Sequence, residues 1–355
     1  MRIIDIVALC LAGCVASEAQ AVPLYKVTRL DFSATALNNR GQIVGSNEGN
    51  AVLWHHGNTL TIGSGAPVDI NNRGQVLGSD WLWSANSGAV SPGFTHARRM
   101  NDSGQVIGGD PNLSGAPSGY VWDATGGTTA IQIGDELNFF HPWDINNSGT
   151  VVLAWDLWAQ FGNGVWRSST DNHQLPAQSD GGYALGNARI NDAGYIAGTL
   201  LLPAVEVPDL SSEDADACAS NGCRVIALWD QALAPTLVGY AGDGGGVNGL
   251  NNRNYLVGSF GAVSDSGVAF RALLGSIDTG LLDLNSVLRP HALSGETHLV
   301  SATSINDRNW IIAQGSDGRS YLLRPVPEPS TITLMLLVML AAGIQTTRAA
   351  CSRRR

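Results

Sequence analysis

Positive charge is scarce in this chain. Lys and Arg together number 20 against 30 Asp and Glu in 355 residues, for a net charge of −10. A surface of that sign repels phosphate backbones and argues against nucleic-acid binding. Cysteine is scarcer still, at five residues. No 3.6-residue apolar period runs through residues 22–325, so no helix is expected there. Sequence marks of chemistry are missing as well. There is no Gly-x-Ser-x-Gly elbow and no repeated carboxylate pairing of the kind that points to hydrolysis. The glycine-rich stretch 239–246 lacks the Gly-Lys-Ser/Thr ending of a phosphate-binding loop and reads as a connector. Histidines at 55, 56, 96, 141, 173, 291 and 298 fall at no metal-ligand spacing. No cofactor or metal is implied.

The two ends of the chain are more informative. Met1-Arg2 begins a short basic segment, and residues 3–16 are largely apolar despite Asp5. Ala19-Gln20-Ala21 then offers small residues at the positions a signal peptidase reads. Residues 1–21 are therefore expected to be a signal peptide, with Val22 as the mature start. Leu11-Ala12-Gly13-Cys14 gives a second reading, a lipoprotein signal with Cys14 as the lipidated N-terminus. At the other end Pro327-Glu328-Pro329 precedes an apolar run over 332–344 and then Arg348, Arg353, Arg354 and Arg355. A comfortable membrane-spanning helix takes about 20 residues. Residues 330–347 supply eighteen, just enough for one pass. The arginines behind it should stay cytoplasmic and leave everything before Pro327 outside.

These three parts, spanning 326–355, resemble the sorting signal of the PEP-CTERM family of exported bacterial proteins. The resemblance implies recognition by a membrane-embedded exosortase and cleavage near Pro327, Glu328 and Pro329. Release of the helix would deliver the protein to the cell surface or an exopolysaccharide matrix. Nothing in the motif speaks to activity. Trimming both ends leaves about 306 residues, with Lys and Arg at 15, Asp and Glu at 27, and a net charge of −12. Of the cysteines only Cys218 and Cys223 remain, and in an oxidising compartment their spacing fits a disulfide closing a small loop.

Between the ends one phrase recurs seven times. Its first copy is Leu37-Asn38-Asn39-Arg40-Gly41-Gln42-Ile43-Val44-Gly45 and its second Ile70-Asn71-Asn72-Arg73-Gly74-Gln75-Val76-Leu77-Gly78. The others are anchored by Asn101 with Gly104, Asn146 with Gly149, Asn191 with Gly194, Asn251 with Asn254, and Asn306 with Asn309. An apolar residue ends a strand, and Asn then caps a turn through its side chain. The fourth turn residue is Gly five times and Asn twice, the two types that best accept the left-handed position of a type I turn with a bulge. A β-branched run leaves as the next strand. Turn formation accounts for these asparagines without a ligand.

Most copies are followed by a short apolar strand ending in an aromatic, at Trp54, Trp83, Trp122, Trp166 and Trp229, then another turn and strand. Each unit thus holds about four short antiparallel strands. The anchors are spaced 33, 30, 45, 45, 60 and 55 residues apart. That pattern predicts an all-β fold, a β-propeller of about seven four-stranded blades over 22–325, with six as the alternative because two spacings are tight. The last unit lacks a fourth strand before the sorting motif, while Leu24-Tyr25-Lys26-Val27-Thr28-Arg29-Leu30 is a strand before the first unit. Pairing them would close the ring and hide both edges. The longest insertion, 201–223, carries Glu206, Asp209, Glu213, Asp214 and Asp216. It lacks the ordered spacing of a calcium loop and reads as a solvated loop.

The phrases also resemble the HAF repeat of exported bacterial proteins, with the His-Ala-Phe step degenerate here: His96-Ala97 is misplaced and Ala269-Phe270 lacks its His. The resemblance implies a β-rich extracellular domain and no particular reaction. Two functional readings follow. One is a non-enzymatic surface or matrix protein binding exopolysaccharide or protein partners, processed by signal peptidase and exosortase. The other is a propeller enzyme acting on extracellular glycans. Acidic side chains converging at the channel mouth would favour the enzyme, and small or apolar ones would exclude it. The five strand-ending tryptophans are expected in blade packing. Trp155 and Trp158 are better placed for an exposed aromatic patch, although core burial is the preferred reading there too.

Overall fold

Every copy of the repeat folds into one four-stranded sheet. The computed structural model describes residues 23–109, 119–132, 139–157, 160–168, 170–175, 183–208, 210–218, 222–242, 244–264 and 267–326. Blade one is β2–β5 (Ser33–Leu37, Ile43–Asn47, Asn50–His55, Asn58–Ser64) and blade two β6–β9 (Pro67–Ile70, Val76–Gly78, Leu82–Ser84, Gly88–Val90). Blade three is β10–β13 (Ala97–Met100, Val106–Gly109, Gly119–Asp123, Gly127–Ala130) and blade four β14–β17 (Phe139–Ile145, Val151–Leu157, Gln160–Ser168, Asp171–Gln174). Blade five is β18–β21 (Tyr183–Ile190, Ile196–Leu202, Cys223–Trp229, Pro235–Tyr240) and blade six β22–β25 (Gly246–Leu250, Leu256–Ser264, Gly267–Ser276, Gly280–Asp283). Blade seven takes β26–β28 (Leu299–Ile305, Ile311–Gly315, Ser320–Pro325) and completes itself with β1 (Tyr25–Arg29).

Seven blades are therefore present, and the tight 30-residue spacing is met by three-residue strands in blade two. The first strand of each blade packs against the first strands of its neighbours all the way round, so these seven line the central channel. At the closing blade, the Leu30 N–H donates to the Ser320 carbonyl at 2.9 Å and the Ala34 N–H to Ser320 Oγ at 3.0 Å. Strands Lys26–Arg324 form one compact unit; the other comprises residues 1–25 and 325–355, within which the Val326 N–H donates to the Leu24 carbonyl at 2.8 Å.

The core sits between blades. In each copy the run leaving the turn contributes at least two consecutive fully buried aliphatics: Ile43-Val44, Val76-Leu77, Val106-Ile107, Val151-Val152, Ile196-Ala197, Leu256-Val257 and Ile311-Ile312. One cluster joins Ala36, Val44 and Leu53 of blade one to Ile70, Val76 and Trp83 of blade two. Another joins Phe32, Ile43 and Val52 to Ile312 and Leu322 of blade seven. Full burial of such a side chain stabilises by roughly 1.5–3 kcal/mol, so every blade depends on both neighbours. Trp83, Trp122, Trp166 and Trp229 are buried, and Trp54 packs partly buried against the cluster of blades one and seven.

The expectation of no helix is corrected in the insertion. Ser212–Cys218 is an α-helix, α1, preceded by a 3₁₀ turn at Ala204–Glu206, and a second 3₁₀ turn follows blade six at Leu284–Val287. A seven-residue helix is too short to leave a periodic apolar signature. Its start was nonetheless marked: Ser211 Oγ accepts from the Asp214 N–H at 3.1 Å, an N-cap, and donates to the Asp214 carboxylate. The 239–246 stretch does connect two blades, β21 to β22.

The glycine closing the phrase has a packing role. A Cβ on Gly258 would lie 1.9 Å from the Gly246 carbonyl oxygen, and one on Gly45 2.1 Å from that of Ser33. At Gly198 the nearest atom would be the Trp229 ring at 3.3 Å. Gly258→Ala should therefore cost roughly 3 kcal/mol in urea unfolding and Gly198→Ala less than about 1 kcal/mol; equal losses would contradict the backbone-approach account.

Candidate functional site: the central channel

The seven Asn turns meet around the channel mouth. In all seven the fourth turn residue has positive φ, from 56° at Asn309 and 61° at Asn254 to 85° at Gly104. Asn38 shows the local geometry: Oδ1 accepts from the N–H groups of Arg40 and Gln42, both at 3.0 Å. Its Nδ2 then reaches across to the next blade and donates to the Asn71 carbonyl at 2.9 Å. The same bond runs from Asn71 to Asn101, on to Asn146, Asn191, Asn251 and Asn306, and from Asn306 back to Asn38. All seven are buried. The turn residues thus form a closed ring of inter-blade hydrogen bonds.

A second ring lies beside it. Its members follow the anchors: Asn39, Asn72, Asp102, Asn147, Asp192, Asn252 and Asp307. Each backbone N–H donates to Oδ1 of the next member, at 2.7 to 2.9 Å, again closing from Asp307 to Asn39. The remaining carboxylate oxygens are taken by amides. Asp102 Oδ2 accepts from Asn72 and Asn147, Asp192 Oδ2 from Asn147 and Asn252, and Asp307 Oδ2 from Asn252 and Asn39. The two rings line a cavity of about 160 Å³.

Two blades explain the Asn-for-Gly exchange in the turn. Asn38, Asn71 and Asn101 give their second amide hydrogen to Gln42, Gln75 and Gln105 four residues on. Blades five and six carry Tyr195 and Tyr255 there instead. Asn191 and Asn251 then donate to Oδ1 of Asn254 and Asn309 in the following blade, at 2.8 and 2.7 Å. The pairing of Tyr in one blade with Asn in the turn of the next, where Gln goes with Gly, is present in the sequence and sequence reasoning missed it.

A charged layer sits two residues before the anchors, and sequence reasoning missed it. The positions are Ala36, Asp69, Arg99, Asp144, Arg189, Gly249 and Ser304, so opposite charges alternate over blades two to five and small residues occupy the other three. In each inner strand the pairing register slips just before this position, as between Pro67 and Asp69 or Ala97 and Arg99. Such bulges re-aim side chains. Asp69 accepts from the Ile70 N–H and from the Met100 N–H of blade three, each at 2.9 Å. Asp144 accepts from Ile145 at 3.0 Å and from Ile190 of blade five at 3.1 Å. Arg189, only 9% exposed, donates through Nε to the Asn248 carbonyl at 2.8 Å and through Nη1 to the Ala188 carbonyl.

Burial pushes the Asp69 carboxyl up to about 6, against the pull of Arg99 and the Met100 N–H and with help from Asp144. Burial also raises Asp144, opposed by Arg189 and Arg99. Arg189 is pushed down to about 10, first by burial and then by Arg99. The four act on one another across the channel, and among the described residues none closes a direct ion pair with another.

Cys218 and Cys223 are joined by a disulfide that ties the end of α1 to the start of β20. The His55 and His56 rings lie 4.1 Å apart, tilted by 46° to each other, in the β4–β5 turn. Among the described residues no group of His, Cys, Asp and Glu is arranged to hold a metal. The sorting motif Pro327, Glu328, Pro329, the basic end, residues 1–21, Trp158 and Asp209 lie outside the described residues. No helix among the described residues is long and apolar enough to cross a membrane.

No family model matches the chain, and no curated protein matches it in sequence. Solved structures share its fold. Virginiamycin B lyase from Staphylococcus aureus aligns at a TM-score of 0.52 with 9% identity, covering 85% of this chain and all of the other. YCF48 bound to D1 peptide aligns at 0.48 with 11% identity, over 87% and 98%. A gluconolactonase from Xanthomonas campestris aligns at 0.39 with 10% identity, over 86% and 96%. At 9% identity the likeness to the lyase structure is one of fold alone.

Asn251 makes four hydrogen bonds, two as acceptor and two as donor. Asn251→Asp keeps the acceptor and turns an oxygen toward the Asn306 carbonyl, so about 3 kcal/mol of stability should be lost at pH 7. A loss below about 1 kcal/mol would show the ring to be incidental. Asp69 gives a pH signature of definite sign. Its folded pKa lies above the unfolded value, so the folded state binds the proton more tightly and stability falls as pH rises from about 4 to about 6. Relative to Asp69→Asn, the native chain should gain up to about 2 kcal/mol on acidification through that window and change little above pH 7. Parallel curves would refute the burial of an ionising Asp69.

Proposed function

We propose that this chain is an exported, non-enzymatic surface or extracellular-matrix protein that binds polysaccharide or protein partners. Its C-terminal segment would anchor it until an exosortase cuts near Pro327-Glu328-Pro329. The observation that carries the non-enzymatic part is the state of the mouth acids. All six carboxylate oxygens of Asp102, Asp192 and Asp307 accept hydrogen bonds from the second ring. A general acid or base needs an oxygen free to face its substrate. These are committed to holding blades together.

The glycan-enzyme reading keeps two observations on its side: acids do converge at the mouth, and Asp69 has a pKa of about 6, suited to proton transfer near neutral pH. It is the second reading because Asp69 also spends both oxygens on backbone N–H groups.

A glycan array probed with residues 22–327 should show retention on a subset of polysaccharides and no release of shortened products. Product release that Asp69→Asn abolishes would reverse the order of the two readings. Intact mass of protein recovered from the exporting cell should lack 332–355; a full-length tail would refute the processing step.

A further inference from the structure

One junction between blades lacks the side chain that fills the others. Directly after the fourth turn residue the seven copies carry Gln42, Gln75, Gln105, Thr150, Tyr195, Tyr255 and Trp310. The side chain at this position belongs to neither ring. Gln42, Gln75 and Gln105 place Oε1 beside the turn glycine one blade on, 3.3, 3.6 and 3.2 Å from where a Cβ on Gly74, Gly104 and Gly149 would sit. The Trp310 ring lies against Gly41 in the same way. After Tyr195 and Tyr255, the next blade's turn carries Asn254 or Asn309, whose side chain accepts across the junction. Thr150 is too short to do any of this. Its hydroxyl stays in its own blade, 3.1 Å from Ser148 Oγ. The atom nearest a Cβ on Gly194 would be Cγ of Gln231, from blade five itself, at 3.7 Å. Among the described residues, Asn146 Nδ2 makes one bond, to the Asn191 carbonyl at 3.2 Å, where Asn38, Asn71 and Asn101 make two. A cavity of about 280 Å³ opens there between blades four and five.

The walls of this notch are mixed. Asn146, Ser148, Thr150 and Gln231 supply amides and hydroxyls, groups that both donate and accept. Val165 and Leu233 supply an apolar side. Leu233 is held at φ 62°, unusual for a bulky residue, in a turn closed by Asp230 Oδ1 on the N–H groups of Ala232 and Ala234. Charge at the border is balanced: Arg167 lies 3.4 Å from Asp171, and Asp192 is held by the second ring. We propose that this notch binds one neutral pyranose unit of a polysaccharide. A sugar ring sets hydroxyls around a C–H face, and the notch offers amides and hydroxyls around Val165 and Leu233. Its volume, just below the range of drug-sized sites, suits a single ring. The proposal rests on the polysaccharide-binding reading and gives it a location.

The test is saturation-transfer NMR of the full folded chain with glucose, galactose, mannose and glucuronate at millimolar concentration. At least one hexose should bind, and glucuronate no tighter than the best of them. Thr150→Gln should fill the notch and weaken the hexose by about tenfold or more. It should unfold at the same temperature or higher, because glutamine there restores the bond that blades one to three make. Unchanged hexose affinity in Thr150→Gln would overturn the site and leave polysaccharide binding standing. Silence toward all three hexoses would also overturn the site; retention on the glycan array would then place binding elsewhere, and silence on both would end both readings. Glucuronate binding more tightly than every hexose would overturn the neutral ligand. If Thr150→Gln does not fold, the exposed Gln231 decides: Gln231→Ala should weaken the hexose about fivefold, and an unchanged affinity would overturn the site.

Discussion

The whole assembly turns on one hydrogen bond repeated seven times, from an asparagine Nδ2 to the carbonyl of the asparagine one blade on. Asparagine suits the position because a single short side chain must accept and donate at once. Its oxygen closes its own turn while its nitrogen reaches the neighbour. Aspartate would lose the donor, and serine the reach. Because the bonds run head to tail, the set is complete only when the seventh turn meets the first. Spacings of 30 to 60 residues between anchors do not disturb it, since extra residues leave the turn untouched. The α1 insertion and the long β23–β24 hairpin lie on second-to-third strand connections, at the opposite ends of the strands from the Asn turns.

The second ring adds a parity constraint. Carboxylates and amides alternate, so that each Asp is flanked by two Asn donors, but seven members cannot alternate perfectly. The mismatch falls between Asn39 and Asn72, where two amides adjoin. Placing an Asp there would set two carboxylates side by side and cost stability by like-charge repulsion. Three acids is the most that a seven-membered ring holds without such a contact.

How far the sequence could be read follows from the range of each interaction. The turn phrase was legible because its bonds are local: Asn38 to Arg40 and Gln42, and left-handed φ at Gly41. The interlocking of β1 with β28 was legible from a missing strand at one end and a spare strand at the other. The ring itself was not, because its acceptors are backbone carbonyls 30 to 268 residues away that any residue type supplies. The charged layer was hidden for a different reason. Its positions vary from Ala36 to Arg189, so no repeat marks them, and the bulge that turns them inward leaves no residue signature. Helix α1 escaped because seven residues do not establish a period.

The channel carries charge of both signs along its axis. The mouth rings hold three carboxylates, and the same turns carry the exposed Arg40, Arg73, Arg253 and Arg308. The layer behind them sets Arg99 and Arg189 against Asp69 and Asp144. The second-to-third strand connections lie on the face opposite the Asn turns. That is the face on which the insertions of blades five and six are built. The ring needs the turn face invariant, and variation is free at the end opposite it.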